Sequence, residues 1–313
     1  MTRSGRKQRD YWDVTTVIKS RPAEWSCNPV NVPENQTKNR RTMEKYSVLM
    51  SLYKKEKPEY LRLSIDSMLN QTVKPDEIVL VEDGPLTEEL YAVLDEYGDK
   101  LTRIRNEKNL GLGLALNVGL KACRNELIAR MDTDDISKPE RCEKQLHYFE
   151  QHSETDIVGG DIAEFIGDES NIVGKRVVPQ TNEEIREYMK KRCAFNHMSV
   201  MYKKGSVQAA GGYQDWFWNE DYYLWIRMLL NGAVFANTGT VLVDVRTGKE
   251  MYQRRGGKKY FKSEVRLQWF MLKNHLIGFP RCILNVAQRL ILQVLMPSKV
   301  RGIVFRTFAR QRE

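Results

Sequence analysis

No stretch of the sequence offers about 18 consecutive apolar residues, so a membrane-spanning helix is not expected. Residues 1–30 carry charge throughout and lack the short apolar core of a secretory leader. The five cysteines, Cys27, Cys123, Cys142, Cys193 and Cys282, are odd in number and widely spaced, with no C-x-x-C pair. That spacing argues against a disulfide framework and a thiolate zinc site, and suits a reducing compartment. No complete G-x-G-x-x-G occurs, and no internal repeat is visible.

What is present is a globular composition, 41% hydrophobic and 29% charged over 313 positions, enough chain for one large domain or two modest ones. The formal net charge of +9 suggests a polyanionic partner until its distribution is followed. Residues 1–42 carry nine basic and four acidic side chains, residues 251–313 fourteen and two, and the stretch between them 27 and 35. Basic ends around an acidic middle argue against a uniformly basic nucleic-acid binder.

Three segments follow from the pattern. Residues 1–42 are polar and rich in Pro and Asn with no periodic apolar signal; they are expected to be a disordered extension, an ordered accessory arm being the alternative. Met43 then stands just ahead of the first strand, where a shorter chain could start. From Tyr46 to about residue 131, strand and helix alternate: buried-strand runs at 46–52, 77–82, 101–105 and 126–131, helical periodicity at 58–69, 86–97 and 112–123. Such order predicts an α/β domain over 43–250, a mostly parallel sheet flanked by helices with ligands at the carboxyl ends of its strands. A helix at 139–152, strand-like 155–166 and 171–178, a helix at 182–191, a strand–helix piece over 198–210, a helix at 220–231 and two strands, 233–237 and 240–246, complete it. Residues 251–313 are a basic stretch and two amphipathic helices, 261–276 and 282–296. The second has a polar stripe of Asn285, Gln288, Arg289 and Gln293, with Ile and Leu elsewhere and Lys299, Arg301 and Arg306 beyond. Two readings fit: a helix lying in a bilayer interface, or one packed on the domain's own core.

Chemistry concentrates in a few places. Asp132, Asp134 and Asp135 crowd the carboxyl end of a buried strand, which is costly unless a cation or hydrogen-bond donors offset the charge. Oxygen ligands there suit Mg²⁺ or Mn²⁺ and hence a diphosphate; capping of the following turn would need only one of them. Asp83 also ends a strand, in Glu-Asp-Gly, and serves either as a base- or ribose-reading carboxylate or as a turn residue. Asn109-Leu110-Gly111 precedes a helix and could present N–H groups to phosphate, or be a plain helix-entry loop. Glu220 and Asp221 open a helix amid aromatic residues including Trp218, so Asp221 is a candidate general base unless the helix dipole alone explains the pair. His197 is a candidate acceptor contact or a hydrogen-bonded structural histidine. Arg254 and Arg255, beside paired glycines, suit a lid on a diphosphate or a solvated loop.

The segments VLMSLYKKEKPEYLRLSIDSMLNQT, EIVLVEDGP, RNEKNLGLGLALNVGL, ARMDTDDISKPER and NEDYYLWIRML, in that order, make residues 46–250 resemble a family 2 glycosyltransferase with the GT-A fold. The RRGGKKY segment adds similarity to bacterial exopolysaccharide and capsule transferases of the amylovoran-biosynthesis type. The resemblance implies a nucleotide-sugar donor, UDP-linked by preference, and inversion at the anomeric carbon. It implies a nucleobase against Ser51, Tyr53 and Asp83; Asn109, Arg254 and Arg255 stay candidate donor contacts on their own residue pattern. Asp132 would lie near the ribose, with Asp134 or Asp135 on Mn²⁺ or Mg²⁺. It makes Asp221 the base and sets Glu220, His197 and Trp218 beside the acceptor. Lys54 departs from the asparagine common after that tyrosine.

Together these readings predict a metal-dependent transferase acting on a saccharide acceptor, lipid-linked by preference, on the cytoplasmic side of a bacterial membrane and without a nucleic-acid partner. Two other classes keep a place. A sugar-phosphate nucleotidyltransferase would want a Gly-rich loop where Ser51-Leu52-Tyr53-Lys54-Lys55 stands. A membrane or nucleic-acid adaptor would explain the basic ends but not the carboxylate cluster.

Overall fold

The computed structural model describes residues 44–248 and 256–297. Its first half alternates as the periodicity predicts: β1 (Tyr46–Leu52), α1 (Pro58–Leu69), β2 (Glu77–Glu82), α2 (Glu88–Tyr97), β3 (Thr102–Arg105), α3 (Leu112–Ala122) and β4 (Leu127–Met131). Pro58 pre-sets the first turn of α1, and Thr87 caps α2 by accepting from the Leu90 N–H. After β4 the elements are β5 (Ile136–Ser137), α4 (Arg141–Gln151), β6 (Ile157–Phe165), β7 (Ile172–Arg176), α5 (Asn182–Met189), β8 (Met201–Lys203), α6 (Lys204–Ala209), α7 (Glu220–Leu230) and β9 (Phe235–Arg246). The chain closes with α8 (Lys258–Lys273), α9 (Phe279–Arg289) and a π-helical turn, Leu290–Leu295.

Among the described residues the strands form one sheet in the order β3-β2-β1-β4-β8-β6-β9-β5, with β7 on β6. β3, β2, β1 and β4 are mutually parallel, with Leu52 beside Glu82 and Met50 beside Met131, so their carboxyl ends meet along one edge. β8 runs antiparallel to β4 and turns the sheet into its mixed half. Two apolar layers cover the faces. Leu49, Val79 and Val81 meet α3, α5 and α7 around the fully buried Trp225, while Val48, Met50 and Leu80 meet α1, α2 and α4. Gly119 lets α3 lie close on this sheet, because a Cβ there would overlap Leu49 Cδ1.

Two details depart from the sequence pattern. The two strands expected over 233–246 are one, β9, which runs the length of β6; Gly239 has φ +66°, and a register shift around Gly159 and Asp161 absorbs the break. The last helix does not turn its apolar side onto the domain's own core, one of the two readings of its stripe. Its polar residues point inward, with Asn285 1% and Gln293 8% exposed, and its apolar residues outward, with Ile283 53% and Ile291 52% exposed. Cys282 and, on α8, Leu267 and Met271 still join the core, so the pair is anchored by a narrow apolar seam.

Candidate active site

β4 delivers its carboxylates by a simple route. The strand is buried along its whole length, and the chain leaves the sheet at Met131, so the residues that follow stand at the strand end. Asp132, Asp134 and Asp135 each offer an oxygen there, all within 4.8 Å of one another. Asp132 pairs with the guanidinium of Arg130, and its carbonyl accepts from Ser64 Oγ at 2.6 Å. Asp135 is buried and accepts from the Arg246 N–H at 2.8 Å, which fixes the end of β9. Asp134 is in no ion pair among the described residues, and only its carbonyl is engaged, by Arg246 Nε at 3.2 Å. Burial, then the charges of Asp132 and Glu56, pushes the Asp134 carboxyl up to about 7. Burial and the two neighbouring aspartates hold Asp135 well above its usual range as well. A close set of carboxylate oxygens, two half-buried and one buried, that shares one guanidinium fits a hard divalent cation such as Mg²⁺ or Mn²⁺.

The second group comes from α7. Burial, then the charge of Asp221, pushes Glu220 up to about 7; burial raises Asp221, against the opposing Tyr222 N–H, Arg130 and Arg176. The Asp221 Oδ1 accepts from the Tyr222 N–H at 2.7 Å. The corner before α7 is braced by α8: Asn219 Nδ2 donates to Ser263 Oγ at 3.1 Å, and that hydroxyl donates to the Phe217 carbonyl at 2.6 Å. Trp218 stands at this corner in the left-handed region, φ 56°, its ring stacked on Phe217. His197 is buried with Nε2 2.9 Å from Tyr213 Oη, and burial together with Arg130 keeps it neutral; its contacts are those of a structural histidine at the cavity wall.

Both carboxylate groups face one open cavity of about 1180 Å³, lined also by Lys57, Tyr60, Arg246, Trp218 and His197, and closed on another side by Glu264, Arg289 and Gln293. Ser51, Tyr53, Asp83 and Asn109 do not line it; the first three lie at the carboxyl ends of β1 and β2, and Asn109 in the loop between β3 and α3. There Asp83 is committed within the protein. Its oxygens accept from Asn106 Nδ2 (3.2 Å), Asn109 Nδ2 (2.9 Å), Leu110 N (2.8 Å) and Gly111 N (3.0 Å). The N–H groups that the loop could have shown to phosphate are thus turned onto Asp83, whose four lone-pair directions they fill. Arg254 and Arg255 lie outside the described residues.

Three participants escaped the sequence reading. Glu56, in the β1–α1 loop, accepts from Thr133 Oγ1 at 3.1 Å and is itself raised by burial beside Asp132. Arg246 stacks its guanidinium 3.7 Å from the Tyr60 ring centroid. Arg130 is 1% exposed, yet its charge works against the upward push of burial on Asp134, Asp135, Glu220 and Asp221 alike. Of these only Arg130 left a trace, as a charged residue inside the buried run Leu127–Met131.

The glycosyl transferase family 2 model matches residues 47–210, from β1 through α6, which includes the strand-end carboxylates. The chain belongs to glycosyl transferase family 2. Family membership fixes its chemistry as glycosyl transfer and is consistent with relatives along nearly the whole folded part. It is 43% identical over 262 residues to the amylovoran biosynthesis glycosyltransferase AmsE of Erwinia amylovora, 83% of this chain and 97% of that one. It is 37% identical over 273 residues to a UDP-Gal:alpha-D-GlcNAc-diphosphoundecaprenol beta-1,3-galactosyltransferase of Escherichia coli, 85% of this chain and 97% of the other. Among solved structures, S. aureus TarS 1–349 in complex with UDP-GlcNAc superposes with a TM-score of 0.56 at 17% identity, over 79% of this chain and 72% of that one. The likeness extends to 43% of a longer TarS chain. It shows the GT-A fold.

Proposed function

We propose that the protein moves a sugar from a UDP-sugar donor to a saccharide carried on a lipid diphosphate, with inversion at the anomeric carbon, in the assembly of a surface polysaccharide. The observation that carries the reading is the meeting, in one cavity, of an oxygen-only carboxylate cluster at a parallel strand end and a raised carboxylate on the first turn of α7. The names of the relatives support the substrates: one acts from UDP-Gal on a diphosphoundecaprenol-linked sugar, another serves amylovoran biosynthesis.

In this reading Ser51 and Tyr53 flank the base, and Asp83 shapes that pocket by holding the loop 106–111 in place. Asp132 lies toward the ribose, and Asp134 is the leading metal ligand, since Asp135 is already engaged by the Arg246 N–H. Arg254 and Arg255, a short segment beyond the cavity-lining Gly248, contact the donor diphosphate. Asp221 takes the proton from the acceptor hydroxyl, whose oxygen attacks the anomeric carbon as the bond to the departing diphosphate oxygen breaks. Mg²⁺ or Mn²⁺, when bound by the cluster, offsets the charge gathering on that diphosphate. Glu220, beside Asp221, and Trp218 border the acceptor.

No helix among the described residues is long and apolar enough to cross a membrane. The outward apolar residues of α9 and the π-turn, with Arg281 and Lys273 nearby and Lys299, Arg301 and Arg306 following in sequence, instead suit docking on an anionic bilayer surface on the cytoplasmic side. The segment before Met43 is read as an extension outside this machinery. The test is a donor screen with Mn²⁺ that follows UDP or GDP release over UDP- and GDP-sugars in the presence of lipid-diphosphate-linked sugars. Transfer from a UDP-sugar that disappears in Asp134→Ala and in Asp221→Asn is the expected result. Wild-type rates in either variant would overturn the assignment.

A further inference from the structure

The inward polar face of the C-terminal helices has work that neither core packing nor a membrane explains. Asn285 donates to Gln268 Oε1 at 2.7 Å and to the Lys190 carbonyl at 2.9 Å, and Arg289 binds Glu264 and the Lys191 carbonyl. These bonds lock the helices against the end of α5. Gln293, however, is 8% exposed, lines the catalytic cavity, and has no hydrogen-bond partner for its Oε1 among the described residues. A buried amide oxygen without a donor is costly unless a ligand supplies one. It sits in a π-helical turn, a rare form that occurs frequently at functional sites. The turn also hands Leu295, two residues on, to the outer surface.

The location selects the ligand. The wall formed by Glu264, Arg289 and Gln293 adjoins the α7 end of the cavity: Glu264 and Arg289 act electrostatically on Tyr222, the residue after Asp221. The strand-end aspartates that suit a donor diphosphate come from β4 instead. Trp218, exposed and held in a left-handed conformation, borders the same cavity and offers an apolar ring face of the kind that pyranoses stack on.

We infer that the π-turn forms the acceptor-sugar subsite, with Gln293 accepting a hydrogen bond from a hydroxyl or amide of the acceptor pyranose while Trp218 packs on its face. This rests on the functional reading above and deepens it: one helical element would hold the acceptor's sugar on its inner side and meet the lipid surface with its outer side. Acceptor selectivity would then be written in the C-terminal helices, outside the segment that matches the family model.

The experiment measures acceptor and donor KM for the full chain, using UDP-galactose and GlcNAc on a short alkyl diphosphate as probes, for wild type, Gln293→Met and Gln293→Asn. Methionine keeps the volume and removes the hydrogen bond; asparagine keeps the amide but withdraws it, and reads the site if the methionine variant does not fold. The expected result is an acceptor KM raised about tenfold with the donor KM held, the loss of one buried hydrogen bond. An unchanged acceptor KM in a folded variant overturns this inference and leaves the functional reading standing. A raised donor KM with the acceptor KM held overturns it too, by assigning Gln293 to the donor. If wild type transfers sugar from no UDP-sugar to any saccharide, the functional reading fails and this inference with it.

Discussion

Arg130 shows how one side chain serves two groups of carboxylates. It is buried, pairs with Asp132, and leaves Nε and Nη1 without a hydrogen-bond partner among the described residues. Its charge is the shared counterweight to Asp134, Asp135, Glu220 and Asp221. Arg130→Met should therefore destabilise the metal-free protein by about 3–5 kcal/mol, as removal of one member of a buried ion pair does. The sign of the pH dependence follows from the raised carboxyls. Asp134 and Glu220, at about 7 in the fold, bind protons more tightly folded than unfolded, so their contribution is full below the ordinary carboxylate range and is lost as pH rises through 7. The Arg130→Met penalty, read from urea midpoints, should be larger at pH 8 than at pH 6. A base must be unprotonated, so with burial holding the Asp221 carboxyl above its ordinary range kcat/KM should fall on the acid side, and Glu220→Gln should move that limb to lower pH by removing the like charge beside Asp221. Asp221→Asn should cost on the order of 10²–10⁴ in kcat, the usual contribution of a positioned base. A wild-type profile flat from pH 5 to 8 would remove Asp221 from that role.

At the scale of elements, the β2–α2 turn and the loop before α3 are a matched pair. Asp83 gathers four donors from residues 106–111, and this requires the turn to come close: a Cβ on Gly84, whose φ is +88°, would lie 2.7 Å from Asn109 N. Gly84→Ala should cost at least about 1–2 kcal/mol for the left-handed backbone alone and weaken UDP binding through the displaced loop, measurable by denaturation and by UDP titration. This pair also marks how far sequence reasoning reaches. The parallel half was legible because Glu77–Glu82 and Leu127–Met131 are short apolar runs punctuated by polar turns, and because crowded aspartates at a strand end stand out. The partner of Asp83 was not legible, since a carboxylate before Gly looks the same whether it faces a ligand or a loop 23 residues away. Glu56 reaches the site from the β1–α1 loop and Arg246 from the end of β9, meetings of residues far apart in sequence that periodicity does not encode. The stripe Asn285, Arg289, Gln293 was visible as a stripe; which side of it faced inward depended on the cavity that the rest of the chain builds.

For the whole molecule, the orientation of that stripe links charge distribution to placement. An amphipathic helix normally buries its apolar side, but here Phe279, Ile283, Ile291 and Leu295 face outward, while α8 adds Trp269 on the outside. If the protein docks on a membrane as proposed, the basic C-terminal region, fourteen Lys and Arg against two acidic residues over 251–313, would supply attraction to an anionic leaflet, and the apolar residues would supply insertion. The two contributions separate experimentally. Binding to vesicles containing phosphatidylglycerol should exceed binding to pure phosphatidylcholine and weaken with added salt, each basic residue near the surface being worth about 1 kcal/mol. Ile283→Ser with Ile291→Ser should reduce vesicle binding at all salt concentrations, because it removes inserted area rather than charge. Since α8 braces the corner before α7 through Ser263, the C-terminal helices and the first turn of α7 form one connected unit. The double serine variant should accordingly keep its kcat on a water-soluble acceptor and lose rate on acceptor embedded in vesicles. Equal vesicle binding by the variant and the wild type would show that the outward apolar face serves some other contact.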